Sequence, residues 1–255
     1  MLKFSPGNAK LGKAISKVEA RRLGLAKRKI YSVSTRAGLA CPHARTCRSQ
    51  AIVNPVTGKV SIVDGKDTET RCFSASQEVL FKATRLQRDH NFEVLRQLGS
   101  SRKIRDRILA DLPDNAGVIR INIAGDLFKQ SLLDAWIGVA AERKDLFIYA
   151  YTKALPFWAR RIEQLAETPN LLLTASEGGT RDDLIAKHDL RYARIVYSEA
   201  EARDLGLAID HDDSLARDRR VKRFALLLHG VQPKGSKAAQ AKQKLVELGI
   251  GGYTR

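Results

Sequence analysis

Short apolar runs that recur along the chain, each followed by a stretch of helical character, set what it can fold into. The runs are 118–123 (VIRINI), 146–151 (LFIYAY), 171–174 (LLLT), 193–197 (ARIVY) and 224–228 (FALLL). Four to six apolar residues make a buried strand, whereas a buried helix needs ten or more. Several intervening stretches open with helix-capping chemistry: Ser131 with Asp134, Thr180 with Asp183, and Ser198 with Glu201. Strand-then-helix alternation argues for a parallel sheet covered by helices. Counting the alternating run 30–34 (IYSVS) as the first strand gives six βα units. Six units can form an incomplete barrel or an open doubly wound sheet. No G-x-G-x-x-G loop follows any run, which removes the usual dinucleotide-binding case for the open form. The expected fold is therefore α/β, a partial (β/α)6 TIM-like barrel with a basic N-terminal extension. Its expected division is a basic arm over 1–29 and a single barrel domain over 30–255, with a cysteine loop at 41–72.

That loop carries all the thiols of the chain: Cys41, Cys47 and Cys72. Three thiols cannot all pair with one another, while a metal or an iron–sulfur cluster uses every one of them. Ser74-x-x-Gln77 has the form of a capping box, which would set Cys72 among free backbone N–H groups that favour a thiolate. Zinc needs a fourth ligand, and His43 could supply it. A four-iron cluster on three cysteines instead leaves one iron open. Between 53 and 63, Asn54 to Gly58 punctuates two extended runs as a hairpin would, and folding it back brings Cys72 toward the other two. The plain alternative is three unrelated core thiols.

Charge is the second constraint. The net charge of +17 is concentrated at the ends: residues 1–50 hold twelve Lys/Arg and one acid, and residues 217–255 hold ten and two, leaving a near-neutral body. Concentrated basic ends point to a polyanion, so nucleic acid is the expected partner, DNA favoured, with Arg21, Arg22, Lys27, Arg28, Arg219 and Arg220 as contacts. No helix-turn-helix or zinc-finger signature sharpens this. The start of the chain has no apolar signal region and no apolar run could span a bilayer. A cytoplasmic protein with no membrane partner is expected, its thiols reduced. The sequence sets no oligomeric state.

In α/β folds ligands gather at the carboxyl ends of the strands. Just past the runs lie Gly125-Asp126, Thr152-Lys153, Ser176-Glu177, Ser198-Glu199 and His229-Gly230 with Gln232; Asp210 to Ser214 precedes the last run. Asp126, Lys153, Glu177, His211, Asp212 and Asp213 are accordingly the candidate catalytic residues, and Gly125, Asp126 and Ser176 the candidate cofactor-binding ones. His211 with its carboxylates is also a ligand set for a divalent metal, or an acidic turn pairing with Arg217, Arg219 and Arg220.

Segments 2–11 (LKFSPGNAKL), 71–77 (RCFSASQ), 125–126 (GD), 151–153 (YTK), 156–158 (PFW), 173–176 (LTAS), 211–213 (HDD) and 229–233 (HGVQP) resemble the phage-and-plasmid gene product eighty-eight family over nearly the whole chain. The resemblance implies a protein of mobile genetic elements and brings no activity with it. The layout of a three-cysteine loop, a helix and a strand ending Ala124-Gly125-Asp126 is similar to the radical S-adenosylmethionine enzymes. That likeness implies a four-iron cluster on the cysteines, with the Gly125-Asp126 turn near the methionyl amine. The C-x5-C-x24-C spacing and the Asp in place of Glu depart from that pattern. The expected function is a 4Fe-4S protein of a mobile element that binds nucleic acid through its basic termini, with radical or metal-dependent chemistry on nucleic acid left open. The competing expectations are a non-enzymatic DNA-binding protein with structural zinc, and a divalent-metal nuclease using Asp126, Asp210, Asp212 and Asp213.

Overall fold

A computed structural model describes residues 1–8 and 10–250, so Ala9 in the 2–11 segment and the last five residues of the expected 30–255 domain lie outside the described residues. In chain order the elements are β1 (Ser5–Pro6), α1 (Lys17–Leu23), β2 (Lys29–Val33), β3 (Ser49–Val53), β4 (Val60–Asp64), α2 (Phe73–Leu80), α3 (Lys82–Gln97), α4 (Ser101–Asp111), β5 (Ala116–Ile121), α5 (Gln130–Glu142), β6 (Phe147–Thr152), α6 (Leu155–Ala159), α7 (Ile162–Ala166), β7 (Leu171–Ser176), α8 (Asp183–Lys187), β8 (Tyr192–Val196), α9 (Glu199–Asp204), β9 (Arg223–Leu227) and α10 (Lys237–Glu247). All six expected strands are present, displaced by two residues or fewer at their starts. The fold is mixed α/β around a seven-stranded, mostly parallel sheet in the order β1-β2-β5-β6-β7-β8-β9. Only β1 is antiparallel.

Because parallel neighbours follow one another in sequence, right-handed crossovers put the connecting helices on a common face. The side-chain alternation of the strands agrees. Ile119, Ile121, Ile148, Ala150, Leu171, Leu173 and Ala175 join Ile104 and Ile108 of α4 and Leu132, Leu133, Trp136 and Val139 of α5 in the main core. Each large aliphatic side chain fully buried there contributes roughly 1.5–3 kcal/mol.

The alternate strand residues, Val118, Phe147, Tyr149, Ala193 and Phe224, face a second core built with Leu11, Ile15, Ala20 and Leu25 of the N-terminal segment. That segment runs across from the β1 edge to the loop before β9. Lys10 pairs with Asp213 at 2.8 Å, Glu19 receives Arg217 at 2.6 Å, and Arg22 pairs with Asp218. Residues 208–210 cover the outer edge of β9 through Ala225 N–H to Ala208 O and Asp210 N–H to Ala225 O, at 2.8 and 2.9 Å.

Capping chemistry is read correctly at one of the three helices. Ser198 caps α9, accepting from the Glu201 N–H at 3.1 Å. Ser131 lies inside α5, whose N-cap is Lys129, and Asp134 instead takes the fork of Arg161. At α8 the N-cap is Asp182, and its carboxylate accepts from Gly178 and Gly179. The helices α2 and α3 are separated only by Phe81, whose backbone is extended.

Candidate cofactor cavity

Backbone stitches gather the cysteine loop at the carboxyl ends of the strands. Thr35 N–H donates to Ala124 O and Asp126 N–H to Ala40 O, both at 3.0 Å, tying the entry to Cys41 onto the end of β5. Gly125 makes that approach feasible: it sits at φ 74°, and a Cβ there would meet Thr35 Oγ1 at 2.0 Å. A second stitch joins the loop to β7, where Gly178 O accepts from the Arg45 and Thr46 N–H groups at 3.1 and 3.0 Å. Gly178, at φ 94°, would likewise drive a Cβ into Thr46 Oγ1. The β3–β4 hairpin then returns the chain. Its turn is held by Asn54 Oδ1, which accepts from the Val56 and Thr57 N–H groups, and Thr46 O accepts from Glu69 and Thr70. Cys72 arrives beside Ser49, donating its N–H to Ser49 Oγ at 3.3 Å.

The capping box expected at Ser74 is not formed, because Cys72 is itself the N-cap of α2. Ser74 Oγ donates to Ile123 O at 2.9 Å, and Gln77 Oε1 accepts from Arg88. These side chains lock α2 to β5 and α3 rather than satisfying its first turn. Behind them Glu78, fully buried, accepts from the Ala37 N–H and from Arg88, joining the two cysteine-bearing segments.

All three cysteines line one cavity of about 480 Å³ together with Asp126, Lys153, Ser176 and, beyond them, Lys10, Arg71, Arg120, Asn122, His229 and Gln232. The thiols feel one another. Burial, then the charges of Asp126, Cys72 and Cys47, pushes Cys41 well above the ordinary thiol range. Burial and the Cys47 charge push Cys72 up to about 11, against the Ser74 and Ala75 N–H groups that favour its thiolate. Without a cation between them, these two groups stay protonated at neutral pH.

Asp126 and Lys153 are committed to the protein. Asp126 Oδ1 accepts from Thr152 Oγ1 at 2.5 Å and Leu127 N–H at 2.7 Å, and Oδ2 from Lys153 N–H at 2.8 Å. Burial still raises its carboxyl above the usual range. Lys153 Nζ donates to Ser176 O and Oγ, both at 2.9 Å, and to Glu177 O. The pair ties β5, β6 and β7 together at the cavity wall.

The far wall is a buried charge network. Asp213, at φ 63°, turns its carboxylate inward to Lys10, to Arg120 Nε at 3.1 Å and to the Tyr149 hydroxyl at 3.1 Å. Burial pushes this carboxyl up, but the charges of Arg120 and Lys10 outweigh it and leave it at about 2. The Arg120 guanidinium lies 4.5 Å over the Tyr151 ring. Asn122 occupies the left-handed region at φ 59° at the end of β5. Burial lowers the His229 imidazole to about 4, and Nδ1 donates to Leu227 O at 3.1 Å.

Residues 1–247 match the family described as Gene product 88. The chain belongs to the Gene product 88 family. Comparison with curated proteins and with solved structures found no match.

Other sequence candidates of this Gene product 88 protein lie outside the cavity. Glu177 points outward to Arg194. His211 and Asp212 are exposed, Asp212 accepting from the Ser214 N–H. Asp210 is buried under Tyr151, 3.3 Å from its hydroxyl. His43 packs its ring edge-on against Phe157 at 5.0 Å, and burial followed by the Arg160 and Arg181 charges lowers its pKa. Among the described residues, no group of three or more His, Cys, Asp or Glu side chains is arranged to hold a metal ion as it stands, and no helix is long and apolar enough to cross a membrane. Of the basic candidates, Arg21 is exposed, Lys27 donates to Asp114 O at 2.6 Å and Arg28 to Ile15 O at 3.1 Å. Arg22, Arg219 and Arg220 come together around Asp218. Lys10, Arg120 and Asn122 on the far wall escape sequence reasoning. Arg120 reads as an interruption of an apolar strand, and such an interruption is the available signal, since a charge inside a buried strand requires a buried partner.

Proposed function

We propose that the cavity is the seat of a four-iron cluster held by Cys41, Cys47 and Cys72, on a sheet that curves as a partial (β/α)6 barrel. One observation carries this: the three cysteines, the only ones in the chain, approach from two separate segments and line a single cavity at the carboxyl ends of parallel strands. Consecutive strand order and helices gathered on one face support the barrel.

The donor set suits iron. Burial raises the pKa of the Cys41 and Cys72 thiols, and so do the charges of neighbouring cysteines, so a cationic cluster core that takes the place of their protons would relieve the repulsion at this wall. A bound four-iron cluster would supply a redox centre with one iron not ligated by the protein. The residues opposite do the rest of the work: Lys10 and Arg120 present positive charge, while Asn122 and His229 present hydrogen-bonding groups to whatever ligand enters. Arg71, paired with Asp64 at 2.5 Å, fixes the segment that carries Cys72.

Asp126 spends three acceptor positions on Thr152, Lys153 and Leu127, so its role is to hold the strand ends rather than to receive a methionyl amine. With dithionite and S-adenosylmethionine, the loaded protein is expected to release no 5′-deoxyadenosine above the metal-free control. The ligand set is tested by substitution. Cys41→Ser, Cys47→Ser and Cys72→Ser should each lose most of their iron and sulfide, and His43→Ala should keep both. Equal retention by all four variants would remove the cluster, and equal loss would make His43 the fourth ligand.

A further inference from the structure

At the opposite end of the sheet a second cleft, of about 430 Å³, lies against Phe147 and Asn170, which open β6 and lead into β7. Its rim joins parts of the chain that are distant in sequence: Arg22 from α1, Lys144 from the loop before β6, and Arg217, Arg219 and Arg220 from the loop before β9. Against these five cations the lining holds one acid, Asp218. It is shared by Arg22 and by Arg220 at 2.6 Å, and Arg217 is taken by Glu19. Arg219 makes no hydrogen bond or ion pair among the described residues, and burial alone pushes its guanidinium pKa down. A partly desolvated guanidinium beside an apolar floor of Leu23, Leu25 and Leu146 is a receptor for an anion. Lys29 and Arg223, exposed at the starts of β2 and β9, extend the positive charge along the same end of the sheet.

We infer that this amino-end rim docks the phosphodiester backbone of a nucleic acid. Cations spaced over three segments suit a polymer better than a single nucleotide, and the two basic ends of the sequence, which look independent, form one surface here. The surface and the cysteine cavity occupy opposite ends of the strands. Nucleic acid is therefore a docking partner, not the ligand of the cavity, and the inference stands apart from the cluster.

The test is fluorescence anisotropy with labelled duplex and single-stranded oligonucleotides, titrated at several salt concentrations. The full chain should bind with a steep salt dependence. Lys144→Ala, Arg219→Ala and Arg220→Ala together should flatten the slope of log affinity against log salt by about 0.9 per lost duplex contact, up to about 2.7, or by about 0.7 each on a single strand. All three side chains reach the surface, Arg219 with part of its guanidinium covered, and Arg22 keeps its pairing with Asp218, so the melting transition should stay close to that of the parent. Arg102→Ala with Lys103→Ala, exposed on α4, should leave binding unchanged. The triple cysteine-to-serine variant should bind as the parent does. Parent-like binding by the rim variant, binding to anionic vesicles but to neither oligonucleotide, or loss of binding in the cysteine variant would overturn the inference.

Discussion

Asp213 shows how little a sequence neighbourhood says about a side chain's surroundings. His211, Asp212 and Asp213 read as one ligand set, yet the positive φ of Asp213 turns its carboxylate into the interior while the other two stay in water. Its partners, Lys10, Arg120 and Tyr149, come from three distant segments, which no local pattern encodes. Since the folded-state pKa is held at about 2 against an ordinary 3.8, Asp213 contributes stability that is complete above pH 4 and disappears as pH falls through about 2. The depression corresponds to about 2 kcal/mol. Asp213→Asn should lose that acid-sensitive component, so unfolding curves of parent and variant should converge as pH falls from 5 to 2. Asp126 is shifted the other way by burial, an effect common to parent and variant that cancels in the difference. Asp210 is raised by burial and then by the Asp213 charge, so the variant relieves Asp210 and the gap reads the net of the two carboxyls. A pH-independent gap would show that Asp213 is not ionised in the fold. At Asp126 the expectation is stability rather than chemistry: Asp126→Asn sets an amide N–H₂ against a donor and should cost about 2 kcal/mol in denaturant unfolding.

At the scale of elements, the strands were legible and the joints between them were not. Apolar runs announce β2 and β5 to β9: β5 and β6 are buried on both faces, as central parallel strands are, and β2, β8 and β9 keep enough apolar residues to be read although some of their positions reach the surface. The hairpin announced itself through Asn54, Pro55 and Gly58. The two-residue β1 is too short to leave a pattern, and the start of α2 was misplaced because the hydroxyl of Ser74 answers to Ile123 across the sheet rather than to its own helix. The stitches that gather the cysteines depend on glycines whose need appears only when Thr35 and Thr46 are found against them. Gly178→Ala should therefore detach the cysteine loop from β7, reducing iron content while far-ultraviolet circular dichroism stays near that of the parent. Full iron content in that variant would mean that the loop holds its thiols without the stitch. Ser198→Ala, by contrast, removes a cap and should cost about 1 kcal/mol with no effect on iron.

Over the whole molecule, the sheet separates two ends of different character. The carboxyl ends carry a cavity with three thiols and a cationic far wall, and the amino ends carry an exposed basic rim. The charge asymmetry was plain in the sequence, but the convergence of its two ends was not, because it depends on residues 10–25 crossing the sheet to meet 213–218. Likewise the cysteines were legible as a set, while the roles of Asp126 and Lys153 as ties between strand ends emerged only with their hydrogen bonds. The central claim is the cluster. Its most direct test is the iron and acid-labile sulfide content of protein isolated without oxygen, read together with its visible spectrum. A brown protein carrying about four irons and four sulfides per chain is expected; stoichiometric zinc with neither iron nor sulfide would contradict it.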